Sequence, residues 1–246
     1  MHIRVINPNT TASMTSAIGV AAQRVAAPDT RIVAVNPADG PASIECHFDD
    51  AVAAVGVCEE VRRGEAEGAD GYVIACFGDP GLNAARELTR APVVGIAQAA
   101  FQMAALVSAR FSVVTTLART VIIAEELLHR YGNAGLCQNV RAVEIPVLEL
   151  EQDMVAAVGR IIDESRRARD EDRAGAIVLG CGGMAGFEQE ISQAVGLPVI
   201  EGVSAAVKLV EATVALGLNT SKHGDLAPPP AKCFSGRFAH FSGGEA

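Results

Sequence analysis

Short apolar runs alternate along the chain with longer segments whose apolar positions recur every three or four residues. The short runs predict β-strands at residues 3–7, 31–35, 71–75, 93–96, 111–115, 140–144, 176–180 and 199–201. The longer segments predict helices near 11–26, 48–67, 80–90, 97–109, 119–132, 151–172, 184–195 and 203–216. Strand and helix in strict alternation imply an α/β fold built on parallel sheet.

The pattern occurs twice. The four strands of the first half map in order onto the second at offsets of 108, 109, 105 and 106 residues. Tyr72-Val-Ile-Ala-Cys76-Phe-Gly-Asp-Pro80 corresponds to Ala176-Ile-Val-Leu-Gly-Cys181-Gly-Gly-Met184, each an apolar run that stops at or beside a cysteine. Pro92-Val-Val-Gly and Pro198-Val-Ile-Glu then follow the cysteines at 16 and 17 residues. The expectation is two duplicated, pseudo-symmetric lobes, each a four-stranded parallel sheet flanked by helices, with the active site in the cleft between them. Residues 1–108 form the first lobe, whose last helix is free to pack on the other, and residues 109–218 the second. Residues 219–246, with Pro228-Pro-Pro230 and few aliphatics, read as an irregular tail, mobile or laid on a neighbouring surface.

Composition narrows the function. A net charge of −9 argues against nucleic acid or an anionic membrane as partner. No apolar run nears the ~18 residues of a membrane span, and the N-terminus reads as a strand rather than a signal peptide, so a cytoplasmic protein is expected. Six cysteines with no C-x-x-C pair, and no histidine near Cys76 or Cys181, suggest neither a disulfide framework nor a zinc site, and no metal is expected.

Ligands bind open α/β sheets beyond the carboxyl ends of the strands, where Cys76 and Cys181 both fall. Asp79-Pro80 predicts an N-cap and a first-turn proline for the helix after Cys76. Gly182-Gly183 leaves backbone N–H groups open to a ligand oxygen. A thiol at a helix N-terminus is expected to have a lowered pKa. A single cysteine at such a place is usually a small buried hydrophobe. Two at equivalent strand ends of duplicated lobes point to chemistry, whereas Cys46, Cys58, Cys137 and Cys233 have no such placement. Facing lobes put the thiols on opposite sides of one cleft. One thiolate then removes a proton from a carbon acid and the opposite thiol returns one to the other face, with no cofactor. The N–H groups after each cysteine steady the enolate.

The runs Val5-Ile-Asn-Pro-Asn-Thr-Thr-Ala-Ser-Met-Thr15, Ile74-Ala-Cys-Phe-Gly-Asp-Pro-Gly-Leu82 and Ile177-Val-Leu-Gly-Cys-Gly-Gly-Met184 resemble those of the hydantoin racemases, within the aspartate/glutamate/hydantoin racemase superfamily. The resemblance extends from residue 1 to about Lys222. It implies a cofactor-independent two-base mechanism, a small-molecule hydantoin substrate and a homo-oligomer. Carried over by position, Cys76 and Cys181 become the acid/base pair. Asn7, Thr115 and Thr116 end the equivalent first strands and would bond the substrate ring or orient a thiol. Ser43 would close over the cleft and Phe77 would line it, while Gly78, Gly182 and Gly183 would supply N–H groups. Asn7 and Thr10 serve equally well as turn and cap residues, and Phe77 as packing. Amino-acid racemases of the superfamily typically carry Asp-Ser where this chain has Asn7-Pro8, which suits a neutral ring. Racemisation of 5-monosubstituted hydantoins is the expected activity. Allantoin, a hydantoin with a polar 5-substituent, is the nearest alternative substrate, ahead of amino-acid racemisation or decarboxylation.

Two rivals come from other classes. Gly180-Cys-Gly-Gly-Met-Ala-Gly186 followed by Glu201 suggests a dinucleotide fingerprint, but its glycine spacing is wrong and the first copy lacks it. A two-lobed ligand sensor would need neither cysteine.

Overall fold

The computed structural model describes residues 1–242. Four strands, β1 (His2–Ile6), β2 (Arg31–Val35), β3 (Gly71–Ile74) and β4 (Val93–Gly95), form one parallel sheet in the order β2-β1-β3-β4. The second sheet repeats this with β5 (Phe111–Thr115), β6 (Cys137–Ala142), β7 (Ala176–Leu179) and β8 (Val199–Ile200), in the order β6-β5-β7-β8. The central strands are apolar on both faces because helices cover both. Val73, Ile74, Ile177 and Val178 have no exposed surface.

The helices are α1 (Ala12–Val25), α2 (His47–Ala66), α3 (Leu82–Leu88), α4 (Ile96–Val107), α5 (Ala118–Arg130), α6 (Met154–Glu171), α7 (Glu188–Val195) and α8 (Gly202–Ala215). The last helix of each half crosses over. α4 packs beside β7 of the second sheet, and α8 covers β3 and β4 of the first. The fit is close: a Cβ on Gly71 would stand 2.3 Å from Val210 Cγ1, and one on Gly202 would stand 2.7 Å from the Ile96 carbonyl. One apolar core therefore runs through both sheets, from Ile3 and Val5 through Phe101 to Phe111 and Val178. Phe101 of α4 stacks on Phe111 at 5.9 Å and meets Phe77 edge-on at 5.4 Å.

Several local expectations need correction. β6 begins at Cys137 rather than 140, with a register irregularity between Phe111 and Val113. The helix expected from 80 begins at Leu82, and Gly81, not Asp79, precedes it as the N-cap. Asp79 lies in the left-handed region at φ 47°, which turns its carboxylate away from α3. That carboxylate caps α4 instead, accepting from the Ala97 and Gln98 N–H groups at 3.0 Å each. Gly95 permits this, because a Cβ there would overlap the Asp79 carboxyl. The helix expected from 184 begins at Glu188, after a 3-10 turn over Gly182–Met184. The tail lies along the first half of the chain: Thr220 Oγ1 donates to the Ala91 carbonyl at 2.8 Å, and Arg62 donates to the His240 carbonyl at 2.9 Å. Residues 243–246 of the expected tail lie outside the described residues.

Candidate active site

In each sheet the chain leaves the first strand to one side and returns on the other. The ends of β1 and β3, and of β5 and β7, therefore bracket a switch point, where such sheets bind ligands. Asn7 and Cys76 sit at the first, Thr115-Thr116 and Cys181 at the second. The two switch points share one cavity. Its wall includes Asn7, Cys76, Phe77, Gly78, Thr115, Thr116, Cys181, Gly182 and Gly183, so nine of the ten expected site residues meet there. The tenth, Ser43, is not part of that wall. Its neighbour Ile44 is, because the loop after β2 turns an apolar side chain inward.

The cysteines have matching local geometry. The backbone N–H of the residue two further on, Gly78 for Cys76 and Gly183 for Cys181, is the group that most favours ionisation of each thiol. The lowered pKa expected from helix termini is not found. Both cysteines are half-buried and face the cavity with protein packed closely around them, and neither is followed directly by an α-helix. Burial pushes Cys181 up to about 11. It pushes Cys76 higher still, and the nearby charges of Asp50, Cys181 and Asp79 add to the effect. The backbone N–H of Gly78 or Gly183 opposes burial without overcoming it.

The polar neighbours are partly committed. Asn7 Nδ2 donates to Asn9 Oδ1 at 2.8 Å and to Thr15 Oγ1 at 3.0 Å, which builds the turn into α1. Thr115 Oγ1 donates to the Gly180 carbonyl at 3.1 Å and so ties the ends of β5 and β7 together. Both residues therefore shape the wall, Asn7 through the turn into α1 and Thr115 by joining two strand ends. Phe77 lines the cavity and packs on Phe101 at once. Glu201, the candidate ribose-binding acid, is buried and caps α8 through the Val203 and Ser204 N–H groups. The dinucleotide reading loses its acidic residue.

Sequence reasoning missed Asp50, Asn9, Met14, Thr120 and Val147 on the wall. Asp50 lies in the first turn of α2 and looks there like an ordinary helix-start acid. Only the fold turns it towards the switch point. Among the described residues no group of three or more His, Cys, Asp or Glu is placed to hold a metal, and no helix is long and apolar enough to cross a membrane.

Two like α/β sheets presenting a thiol each to one cavity define a two-lobed enzyme with paired cysteines. The chain belongs to the Asp/Glu/Hydantoin racemase family, whose model matches residues 3–210. It is thus an isomerase of the racemase type. A hydantoin racemase of Rhizobium meliloti is 50% identical over 96% of this chain and 98% of its own. Among solved structures, the allantoin racemase of Klebsiella pneumoniae is 56% identical, with a TM-score of 0.96 over 98% of this chain and 99% of its own. The allantoin racemase of Pseudomonas fluorescens is 43% identical, with a TM-score of 0.93 over 96% and 100%.

Proposed function

We propose that this enzyme racemises 5-monosubstituted hydantoins by two-base proton transfer at C5, with Cys76 and Cys181 as the bases and no cofactor. The observation that carries the reading is the convergence of the two cysteines on one cavity, each with a glycine two residues further on in the same wall. The hydantoin C5–H is flanked by a carbonyl and a ring nitrogen, so its carbanion delocalises into the ring. A neutral ring also suits the uncharged Asn7, Thr115 and Thr116 around it.

In one direction a thiolate takes the C5 proton and becomes a thiol. The electron pair moves into the carbonyl, and the opposite thiol delivers its proton to the other face of C5 and becomes the thiolate. The reverse reaction exchanges the roles. The thiolate is the costly species, because burial opposes its charge. A negative sulfur at Cys181 also resists loss of the Cys76 proton, so the singly ionised pair is favoured over the doubly ionised one. One base and one acid facing each other is the arrangement that the reaction requires.

The test is polarimetry on one enantiomer of a 5-substituted hydantoin, with purified enzyme in thiol buffer lacking added metal or nucleotide. Rotation should decay to zero and stop on alkylation of the thiols. A stable rotation with both allantoin and 5-alkylhydantoins would overturn the reading. The allantoin racemases of like structure make allantoin the second substrate to try.

A further inference from the structure

Beyond the thiols the cavity adjoins a second space. The two share Asp50, Gly78 and Ile123, and the second is walled further by Asn83, Glu126 and Arg130. It is the roomier, about 290 Å³ open to water against about 50 Å³ beside the cysteines. Its rim offers hydrogen-bond acceptors and donors, where an alkyl group would want an apolar lining.

Asp50 stands where the two meet. Its Oδ1 lies against Gly78, 2.6 Å from where a Cβ on that residue would stand. The oxygen is buried, and no donor reaches it. Arg130 lies near enough to favour its charged form, without bonding to Oδ1. A buried acceptor without a partner is costly to keep, so it calls for an explanation. A turn of the carboxyl about its soft terminal torsion exchanges its two oxygens at little cost. An N–H on a ligand would supply the missing partner.

We propose that this second space takes the 5-substituent of the substrate, and that Asp50 accepts a hydrogen bond from an N–H on it, so ureido-type substituents are preferred to alkyl and arylalkyl ones. The inference rests on the hydantoin-racemase reading above. The flat ring takes the narrow space between the sulfurs. In the planar carbanion the 5-substituent lies in the ring plane, so one side chamber serves both enantiomers. A ureido group offers N–H donors to Asp50 and a carbonyl to Arg130, and an isobutyl group of comparable size offers neither.

The experiment compares kcat/KM for racemisation of allantoin and of 5-isobutylhydantoin in the wild type, Asp50→Leu and Asp50→Asn. The wild type should favour allantoin. Asp50→Leu should lower the allantoin-to-isobutyl ratio roughly 10- to 100-fold, the worth of one hydrogen bond to a charged group. Asp50→Asn keeps an acceptor oxygen and should fall between. The ratio cancels any effect of Asp50 on Cys76, since both substrates need the same thiol. A wild type that favours the isobutyl substrate, or an Asp50→Asn ratio equal to wild type together with an unchanged ratio in Asp50→Leu, would overturn the proposal and leave racemisation standing. Should Asp50→Leu fail to fold, the wild-type preference and Asp50→Asn decide. Racemisation of neither compound overturns the underlying reading as well.

Discussion

Gly182 lies against the carbonyl of Ala75: a Cβ built on it would stand 2.6 Å from that oxygen. Ala75 precedes Cys76 and Gly182 follows Cys181, so the two cysteine loops touch through their backbones. Their spacing is therefore fixed by a contact that only glycine allows.

Gly182→Ala should push the loops apart. A shift of about 1 Å between reacting groups costs on the order of 100-fold in turnover. Overpacking against a rigid carbonyl should also cost about 1–3 kcal/mol of stability. Initial rates and a urea titration of the variant give both numbers. Wild-type turnover would show that the backbone contact does not set the thiol spacing.

A second link joins the halves behind Cys76. The Tyr131 hydroxyl, beyond α5, donates to Asp79 Oδ2 at 2.8 Å, and the same carboxylate holds the start of α4. Tyr131→Phe removes one hydrogen bond and should cost about 1–2 kcal/mol. Asp79→Ala removes the acceptor for three donors and should cost about 3 kcal/mol or more. Denaturant unfolding of both variants checks the order. An Asp79→Ala cost no larger than that of Tyr131→Phe would mean that the cap on α4 contributes nothing.

The duplicated sheets were legible because parallel strands buried on both faces leave short, dense apolar runs that repeat in order. Cys76 and Cys181 were legible because strand ends are where such sheets bind ligands. Asp79 was misread for a physical reason. Asp-Pro before a helix is a good local cap signal, but a left-handed backbone and the side-chain-free Gly95 send the carboxylate to a distant helix. Asp50 gave no signal, since its place at the cavity depends on how α2 packs beside the β3 loop. The thiol acidity was misjudged because local pattern reports a nearby helix, whereas burial reports the whole fold.

Cys76→Ser and Cys181→Ser should each lower racemisation by roughly 1,000-fold or more, within the range expected when a general acid or base is lost. Each variant keeps one working thiol. Deuterium from solvent should therefore still enter C5 of one enantiomer, a different one in each variant, with configuration retained. Proton NMR in deuterated buffer reads the exchange while polarimetry reads the inversion. Near-wild-type racemisation in either serine variant would sink the two-base scheme.

The pH profile follows from burial. Cys181 ionises at about 11 and Cys76 only above it, so at neutral pH the free site holds two thiols and little thiolate. For a group titrating well below its pKa, the ionised fraction rises tenfold with each pH unit. Inactivation of the free enzyme by iodoacetamide requires thiolate and should climb with that slope from pH 7 towards 10. The value of kcat/KM should climb alongside it, since the free enzyme must ionise one thiol before it can remove a proton. It should level off as Cys181 ionises near 11, and fall only when Cys76 also loses its proton and the acid is gone. Loss of a second proton is opposed by the charge already on Cys181. A plateau in both rates by pH 8 would mean that a thiolate is already present in the resting cleft, and that donors at the sulfurs outweigh their burial.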